Sequence, residues 1–424
     1  MDLFKTLKNA WRVPELRRRI IYTLWMFLFI RIGISITVPG VDRGLVMNAI
    51  SSGDSTGFIN QFYGMITGGA HQQLALFALG VGPYITASII MQLLQIAITR
   101  LEELSKEGED GRKKINKYTR YVTLVLALLN AWATTFNASR NGLLVDSSIL
   151  TFLLVMFSFV AGSMLVMWIG EQITEKGIGN GISLYIFIGI IYSLPTNFIS
   201  IFQLNSDKIY IPILVLIVFI ALIAFAVLMS QGERRVAVQY AKRTAGRKVY
   251  GGGQQYIPIK VNLAGVMPII FAMSIMSTPQ IIIGFTGAQL SSTWTKVLSY
   301  LDWTSGVGSV IYIVLIFAFA FFYSTIAFNP MEIASNMKKS GGFIPGIRPG
   351  KPTSDYLVGL GTRITLLGAI FLTILALMPL VFYYVFKVNV AFTGTSLLIV
   401  VGVVIETLKQ LESQMLMRHY KGFL

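Results

Sequence analysis

The sequence predicts an all-α polytopic membrane protein of ten transmembrane helices, and three observations carry that prediction. Of 424 residues, 54% are hydrophobic and 13% charged, with a mean hydropathy of +0.68. A soluble domain of this size could not hide so much apolar surface, whereas a bilayer accepts it as an outer layer. The apolar residues gather into ten runs, with none of the alternating short segments of a membrane barrel. Finally, Lys and Arg crowd every second connection between the runs.

The runs are 20–38, 74–98, 121–138, 149–170, 182–201, 210–229, 263–286, 308–328, 357–385 and 394–408. About 20 helical residues cross the hydrocarbon core. The last run is short in apolar content, and its helix is expected to continue past Glu406.

Basic residues set the orientation. One side collects Arg12, Arg17, Arg18 and Arg19, then Arg112, Lys113, Lys114 and Lys117, then Arg234, Arg235, Lys242, Arg243, Arg247 and Lys248. It closes with Lys338, Lys339, Arg348, Lys351, Lys409 and Arg418, whereas the other side holds only Arg43, Arg140, Lys208, Lys296 and Lys387. Both termini are therefore expected in the cytoplasm. The net charge of +16 reads as topology rather than as a nucleic-acid footprint. No cleavable leader is expected, because a basic N-terminal segment leads directly into a full-length span.

Catalytic chemistry is missing. With no Cys there is no disulfide, thiolate metal site or thiol nucleophile, and His71 and His419, the two histidines, lie outside the runs. Acidic residues sit in connections, apart from Glu406 near the end of the last run. Arg31 is the one basic residue deep in a run, read here as helix–helix hydrogen bonding or snorkelling. Proton pumps and intramembrane hydrolases need ionisable groups at membrane depth. No catalytic residue, metal or cofactor is expected, and the chain does not read as an enzyme. The glycines of Gly177–Ile178–Gly179–Asn180–Gly181 follow a membrane helix rather than a strand, so they read as a tight turn and not as a nucleotide loop.

Three connections are unusual. Phe58, Ile59, Phe62, Met65 and Ile66 recur at helical spacing in a stretch too short to span, so 57–67 reads as a short helix. That helix either dips into the protein or lies on its surface. Two cytoplasmic connections, 230–262 and 329–356, are longer than a helix–helix turn requires. The first alternates as a short β-ribbon over 256–261, and the second ends in the stiff tip Pro345–Gly346–Ile347–Arg348–Pro349–Gly350. Basic loops serve topology and attract anionic lipid. Their length and shaped turns favour a docking surface for an acidic partner or ribosomal RNA.

The whole chain resembles the SecY family, the channel-forming subunit of the Sec protein translocon. The resemblance is carried by Ala78–Leu79–Gly80–Val81–Gly82–Pro83–Tyr84–Ile85, Gly170–Glu171–Gln172–Ile173–Thr174, Gln239–Tyr240–Ala241–Lys242–Arg243 and Lys260–Val261–Asn262. It continues through 345–350 and Gly394–Thr395–Ser396–Leu397–Leu398–Ile399, in family order.

The resemblance implies two pseudo-symmetric five-helix halves, 1–201 and 202–424, around a central pore. It implies a pore ring of Val81, Ile85, Ile182, Ile186, Ile270 and Ile399, where Val81 is a methylene smaller than isoleucine. The plug would be the 57–67 helix, and the lateral gate would lie between runs 74–98 and 121–138 and runs 263–286 and 308–328. Pro268 and Pro279 would make the seventh span bendable. Lys242, Arg243, Arg247, Lys248 and Arg348 would bind partners. Those implied are SecE, SecG, the SecA motor, the ribosome with its rRNA, signal sequences, nascent polypeptides and membrane lipid. The implied location is the bacterial cytoplasmic membrane, and the implied function is conduction of unfolded polypeptides across it and release of transmembrane segments into it. A small-solute secondary transporter is the rival, and would need polar ligands at the midplane. A structural scaffold is a third class, needing neither plug nor ring.

Overall fold

The computed structural model describes residues 11–51, 64, 67–146, 148–204, 208–240, 243–245, 248–250, 254–286, 305–386 and 394–421. A helix occupies each of the ten apolar runs. The first half of the chain contains α1 (Pro14–Ser35), α2 (Arg43–Ser51), α3 (Gly82–Ala97), α4 (Thr99–Lys106), α5 (Glu109–Arg140), α6 (Ile149–Lys176) and α7 (Gly181–Leu204). After α8 (Tyr210–Gln231) come β1 (Glu233–Tyr240), β2 (Arg243–Ala245), β3 (Lys248–Tyr250) and β4 (Gln254–Lys260). The chain ends with α9 (Met267–Thr286), α10 (Gly306–Ala327), α11 (Pro330–Lys339), β5 (Gly342–Phe343), α12 (Lys351–Phe386) and α13 (Gly394–Lys421). Among the described residues, six helices are long and apolar enough to cross a membrane, and α3 with α4, bent by 103°, makes a seventh. The run at 394–408 does continue past Glu406, to Lys421.

The second run departs from the expected single helix. Residues 67–81 are wound mostly as turns, and helix begins only at Gly82. Pro83 starts α3, because a proline in the first turn lacks only an N–H that would go unbonded there. Upstream, Leu74 (φ 46°) and Gly80 (φ 52°) take left-handed backbone that no right-handed helix accommodates. The freed backbone groups pair with the chain leaving α1. Leu76 N donates to Ile36 O at 2.8 Å and Val38 N to Leu74 O at 3.3 Å. An irregular segment at membrane depth needs such partners.

Pro268 is a second departure. It lies in the first turn of α9, where a missing N–H breaks no intrahelical bond, so it starts the helix instead of bending it. Pro279 lies within α9. Two short helices were not legible as runs. Asp42 Oδ1 accepts from Gly44 N and Leu45 N at the start of α2, and Asn329 Oδ1 accepts from Glu332 N at the start of α11, followed by Pro330.

Lipid tails are as apolar as leucine, so membrane helices associate through close packing and hydrogen bonds rather than through loss of water. The face of α5 shows this. Gly111, Ile115, Thr119, Thr123, Ala127, Ala131, Thr135 and Ala138 are buried at spacings of about one turn, a mostly small-residue stripe that lets α3 and α6 approach. Between α10 and α12 the buried hydroxyls of Ser324 and Thr365 are 2.6 Å apart. Gly162 on α6 lies directly against the Leu76 carbonyl, which a Cβ would overlap. Gly162→Val is therefore expected to separate α6 from the second run and sharply lower the yield of folded protein in detergent, read by thermal-stability chromatography. Wild-type stability would show that the contact yields easily.

On the side where α8 ends, the sheet order is β4–β1–β5, all antiparallel, with Glu233 opposite Lys260 and Gln239 opposite Phe343. The ribbon expected at 256–261 is thus β4, paired along the length of β1. The hairpin β2–β3 projects between them in sequence.

Candidate functional site

One buried cluster gathers side chains from α1, the 67–81 segment, α6, α7 and α13. Val81, Ile186 and Ile399 are buried in it at 0%, 6% and 5% exposure, with Ile85 and Ile182 packed against it. Each position follows from local structure. Val81 is the residue before α3, and Ile85 N bonds back to its carbonyl at 2.9 Å, which sets these two one turn apart. Ile182 and Ile186 occupy the first turns of α7, whose start is capped by Asn180 Oδ1 accepting from Ile182 N and Ser183 N. That cap ends the 177–181 segment as a turn between α6 and α7, held to α1 by Ile178 N donating to Thr23 Oγ1 at 3.2 Å. Ile399 comes from the second turn of α13.

Five of the six expected ring residues therefore belong to one aliphatic cluster. Ile270 does not join it. Its α9 neighbours Ile269 and Ala272 belong to a separate cluster with α8, α10, α12 and α13, and Val266, one turn earlier, packs against both. Sequence reasoning missed the surrounding layer, including Ile190 and Val403, each one turn beyond a ring position, and Ile34, Phe77 and Tyr185. The i+4 spacing from Ile186 and Ile399 is the signal that could have found the first two.

Polar chemistry around the cluster is sparse. Among the described residues Arg31 makes no interhelical hydrogen bond. Its guanidinium lies over the Tyr192 ring of α7, 3.3 Å from the centroid, and its buried Nη1 has no hydrogen-bond partner among the described residues. Gly80, whose left-handed backbone disfavours a side chain, directs its carbonyl to Ser163 Oγ on α6 at 3.1 Å. His71 precedes the second run, with Nδ1 3.3 Å from the Ala78 carbonyl oxygen. Burial lowers its pKa from the ordinary value, and the Ala78 contact pulls the other way. Among the described residues no group of His, Asp or Glu is arranged to hold a metal.

The expected plug residues Phe58, Ile59, Phe62, Met65 and Ile66 lie outside the described residues, as do Lys242 and Arg247. Arg243 is opposite Tyr250 and Lys248 opposite Ala245 on the β2–β3 hairpin. Arg348 is exposed. Beneath it, Ile344 joins Val236, Val238, Ile259, Met337 and Leu357 in a core that ties the tip to β1, β4, α11 and α12. The structure does not bring Arg348 to the aliphatic cluster, so the expected docking tip and the expected ring are separate places in the fold.

Known proteins supply the frame for this geometry. The sequence profile of the SecY family matches residues 75–408. The protein translocase subunit SecY of Thermotoga maritima is 42% identical, over 100% of this chain and 98% of its own. That of Bacillus subtilis is 42% identical over 100% of both chains, and that of Streptomyces scabiei 43% identical over 98% of each. Among solved structures, one described as a protein conducting channel superposes with a TM-score of 0.65 at 18% identity, covering 94% of this chain and 92% of that one. Sec61 in a canine ribosome-channel complex superposes at 0.62 and 17% identity, again over 94% and 92%. Those two show a shared fold, whereas the profile and the full-length relatives show descent. This multi-pass membrane chain belongs to the SecY family.

Proposed function

We propose that the chain conducts unfolded polypeptides across the bacterial cytoplasmic membrane and releases apolar segments sideways into lipid. The observation that carries this reading is the buried aliphatic cluster where α3, α7 and α13 converge, built around Val81, Ile85, Ile182, Ile186 and Ile399. Apolar, mostly β-branched side chains offer ions no ligands and keep a narrow gap dry, yet give way around an extended chain of any sequence. Ile270 would complete this collar from α9 when the two halves, 1–201 and 202–424, close on a substrate. A transporter of small solutes would instead need polar ligands at the midplane. The cluster presents aliphatic side chains instead.

In this reading residues 57–67 supply the plug, and the 67–81 segment links them to the collar. The lateral gate lies between α3 and α5 on one half and α9 and α10 on the other, and α9 packs directly against α5 in this structure. A signal sequence would part that contact. Each fully buried large apolar side chain contributes about 1.5–3 kcal/mol, so a run of them drives a segment through the gate and into lipid. Conduction itself is passive and needs no catalytic residue. SecA, or the ribosome through its RNA, supplies the push by docking on Arg348 and on Lys242, Arg243, Arg247 and Lys248 of the 230–262 connection. SecE and SecG complete the complex, with both termini of this chain in the cytoplasm. The names of the relatives support protein translocation as the activity.

The chain has no cysteine, so single-cysteine variants are clean probes. An arrested precursor with one cysteine is expected to crosslink to Ile85→Cys, Ile186→Cys and Ile270→Cys, and not to Ile199→Cys on an exposed face of α7. Crosslinks absent from the first three would remove the substrate from this path.

His71 gives a pH dependence. Its pKa is lowered while the 67–81 segment is seated, so the seated state is fully stable above about pH 6.5 and loses stability as pH falls below that value. Acidifying the external side to about pH 5 is expected to raise resting conductance in planar bilayers. His71→Asn keeps a donor for the Ala78 carbonyl and should abolish the response. A pH-independent wild-type conductance would exclude His71 as its origin.

A further inference from the structure

Tyr185 stands where Thr67, the aliphatic cluster and the broken second run meet. It precedes Ile186 on α7 and is 2% exposed, and its hydroxyl is buried with no hydrogen-bond partner among the described residues. A Cβ built on Gly80 would lie 3.1 Å from that hydroxyl and 2.9 Å from Thr67 Cγ2, so the phenol abuts the place where the two ends of the 67–80 segment meet. Neighbouring polar groups are engaged elsewhere. The Gly80 carbonyl accepts from Ser163 Oγ, and Thr67 Oγ1 accepts from His71 N at 3.2 Å. The same segment holds Leu74 at φ 46°, the one non-glycine residue with left-handed backbone among the described residues. That conformation is strained for a bulky side chain.

We propose that Tyr185 sets the opening threshold of the channel, and through it the stringency toward signal sequences. This rests on the collar and plug reading above. While the 67–81 segment is seated, the hydroxyl is dehydrated and unpaired, which disfavours the seated state. When the segment moves away, water or passing backbone satisfies the hydroxyl. The strain at Leu74 acts in the same direction. Ser163 opposes both, since its bond to Gly80 exists only while the segment is seated. The occluded channel is thereby held short of its greatest stability, and an intercalating segment needs less differential affinity to open it.

The test uses the full chain with its partner subunits in planar bilayers. Tyr185→Phe is expected to open spontaneously on the order of tenfold less often. It should also depress export of precursors with weakened signals while leaving saturating export of intact-signal precursors unchanged. Ser163→Ala should shift both readouts the opposite way. An unchanged or raised opening frequency in Tyr185→Phe overturns the proposal. Should that variant fail to assemble, Ser163→Ala, which removes the bond that holds the segment at Gly80, carries the test; an unchanged or lowered opening frequency there overturns the proposal equally. Ile186→Asn in the same membranes separates the two readings. A leak there with no effect of Tyr185→Phe rejects the threshold alone, whereas no leak there rejects the collar beneath it.

Discussion

Ile186→Asn is expected to turn the resting channel into an ion leak, with conductance at least tenfold above wild type in planar bilayers. Ile186 is 6% exposed, at the heart of the cluster that also holds Val81 and Ile399. An amide placed there finds no partner among aliphatic neighbours, and its dehydration disfavours the occluded state by about 1–3 kcal/mol. That alone is about 5- to 150-fold in the occluded-to-open ratio, and the amide also recruits water into the gap that dewetting had kept closed. The same shift lets weak signal sequences open the gate, so export of signal-defective precursors rises alongside conductance. Ile186→Val, which keeps the β-branch and loses a methylene, should leak far less. Unchanged conductance in Ile186→Asn would show that the seal lies elsewhere, with the 57–67 segment the next place to probe.

What could be read ahead of the structure follows from how local each signal is. Apolar runs are local, and every one carries a helix. The break at 74–81 was hidden because apolarity continues through it; only Gly80, Gly82 and Pro83 marked the point where a helix could not have begun earlier. β4 was legible from alternation over Tyr256–Val261, whereas its partner β1 starts among charges and declares itself only through pairing. The collar was not legible locally at all. An isoleucine facing a pore and one facing lipid look alike in sequence, and family resemblance alone singled out positions 81, 85, 182, 186, 270 and 399. Five of them then proved to share one cluster because three helices converge, a long-range fact. Tyr185 gave no signal, since a tyrosine in an apolar run reads as packing until its hydroxyl is seen without a partner. Arg31 was visible, but its contact with Tyr192 is made across two helices and depends on their mutual placement.

Arg348→Glu is expected to lower motor-driven translocation into reconstituted vesicles by at least tenfold while leaving membrane insertion and thermal stability of the chain unchanged. The tip that carries Arg348 is built to hold shape. β5 pairs with the end of β1, Ile344 is 5% exposed in the core beneath, and Ile347 N closes the turn on Ile344 O at 3.0 Å. Gly346 takes φ 83°, which a side chain would resist, and Thr353 Oγ1 fastens the Arg348 carbonyl to the start of α12 at 2.9 Å. An exposed guanidinium on a rigid tip loses little freedom on docking, so its charge-assisted hydrogen bonds translate efficiently into affinity. Reversing the charge removes those bonds and sets like charges against an acidic partner surface, a change of about 2–5 kcal/mol where the contact is buried in the complex. Because the side chain faces solvent in the free chain, the fold has no stake in it. Arg348→Lys should fall between the two, keeping charge but not the planar fork. If Arg348→Glu translocates normally under the motor, the tip is not the site of force transfer, and the β2–β3 hairpin must carry that contact instead.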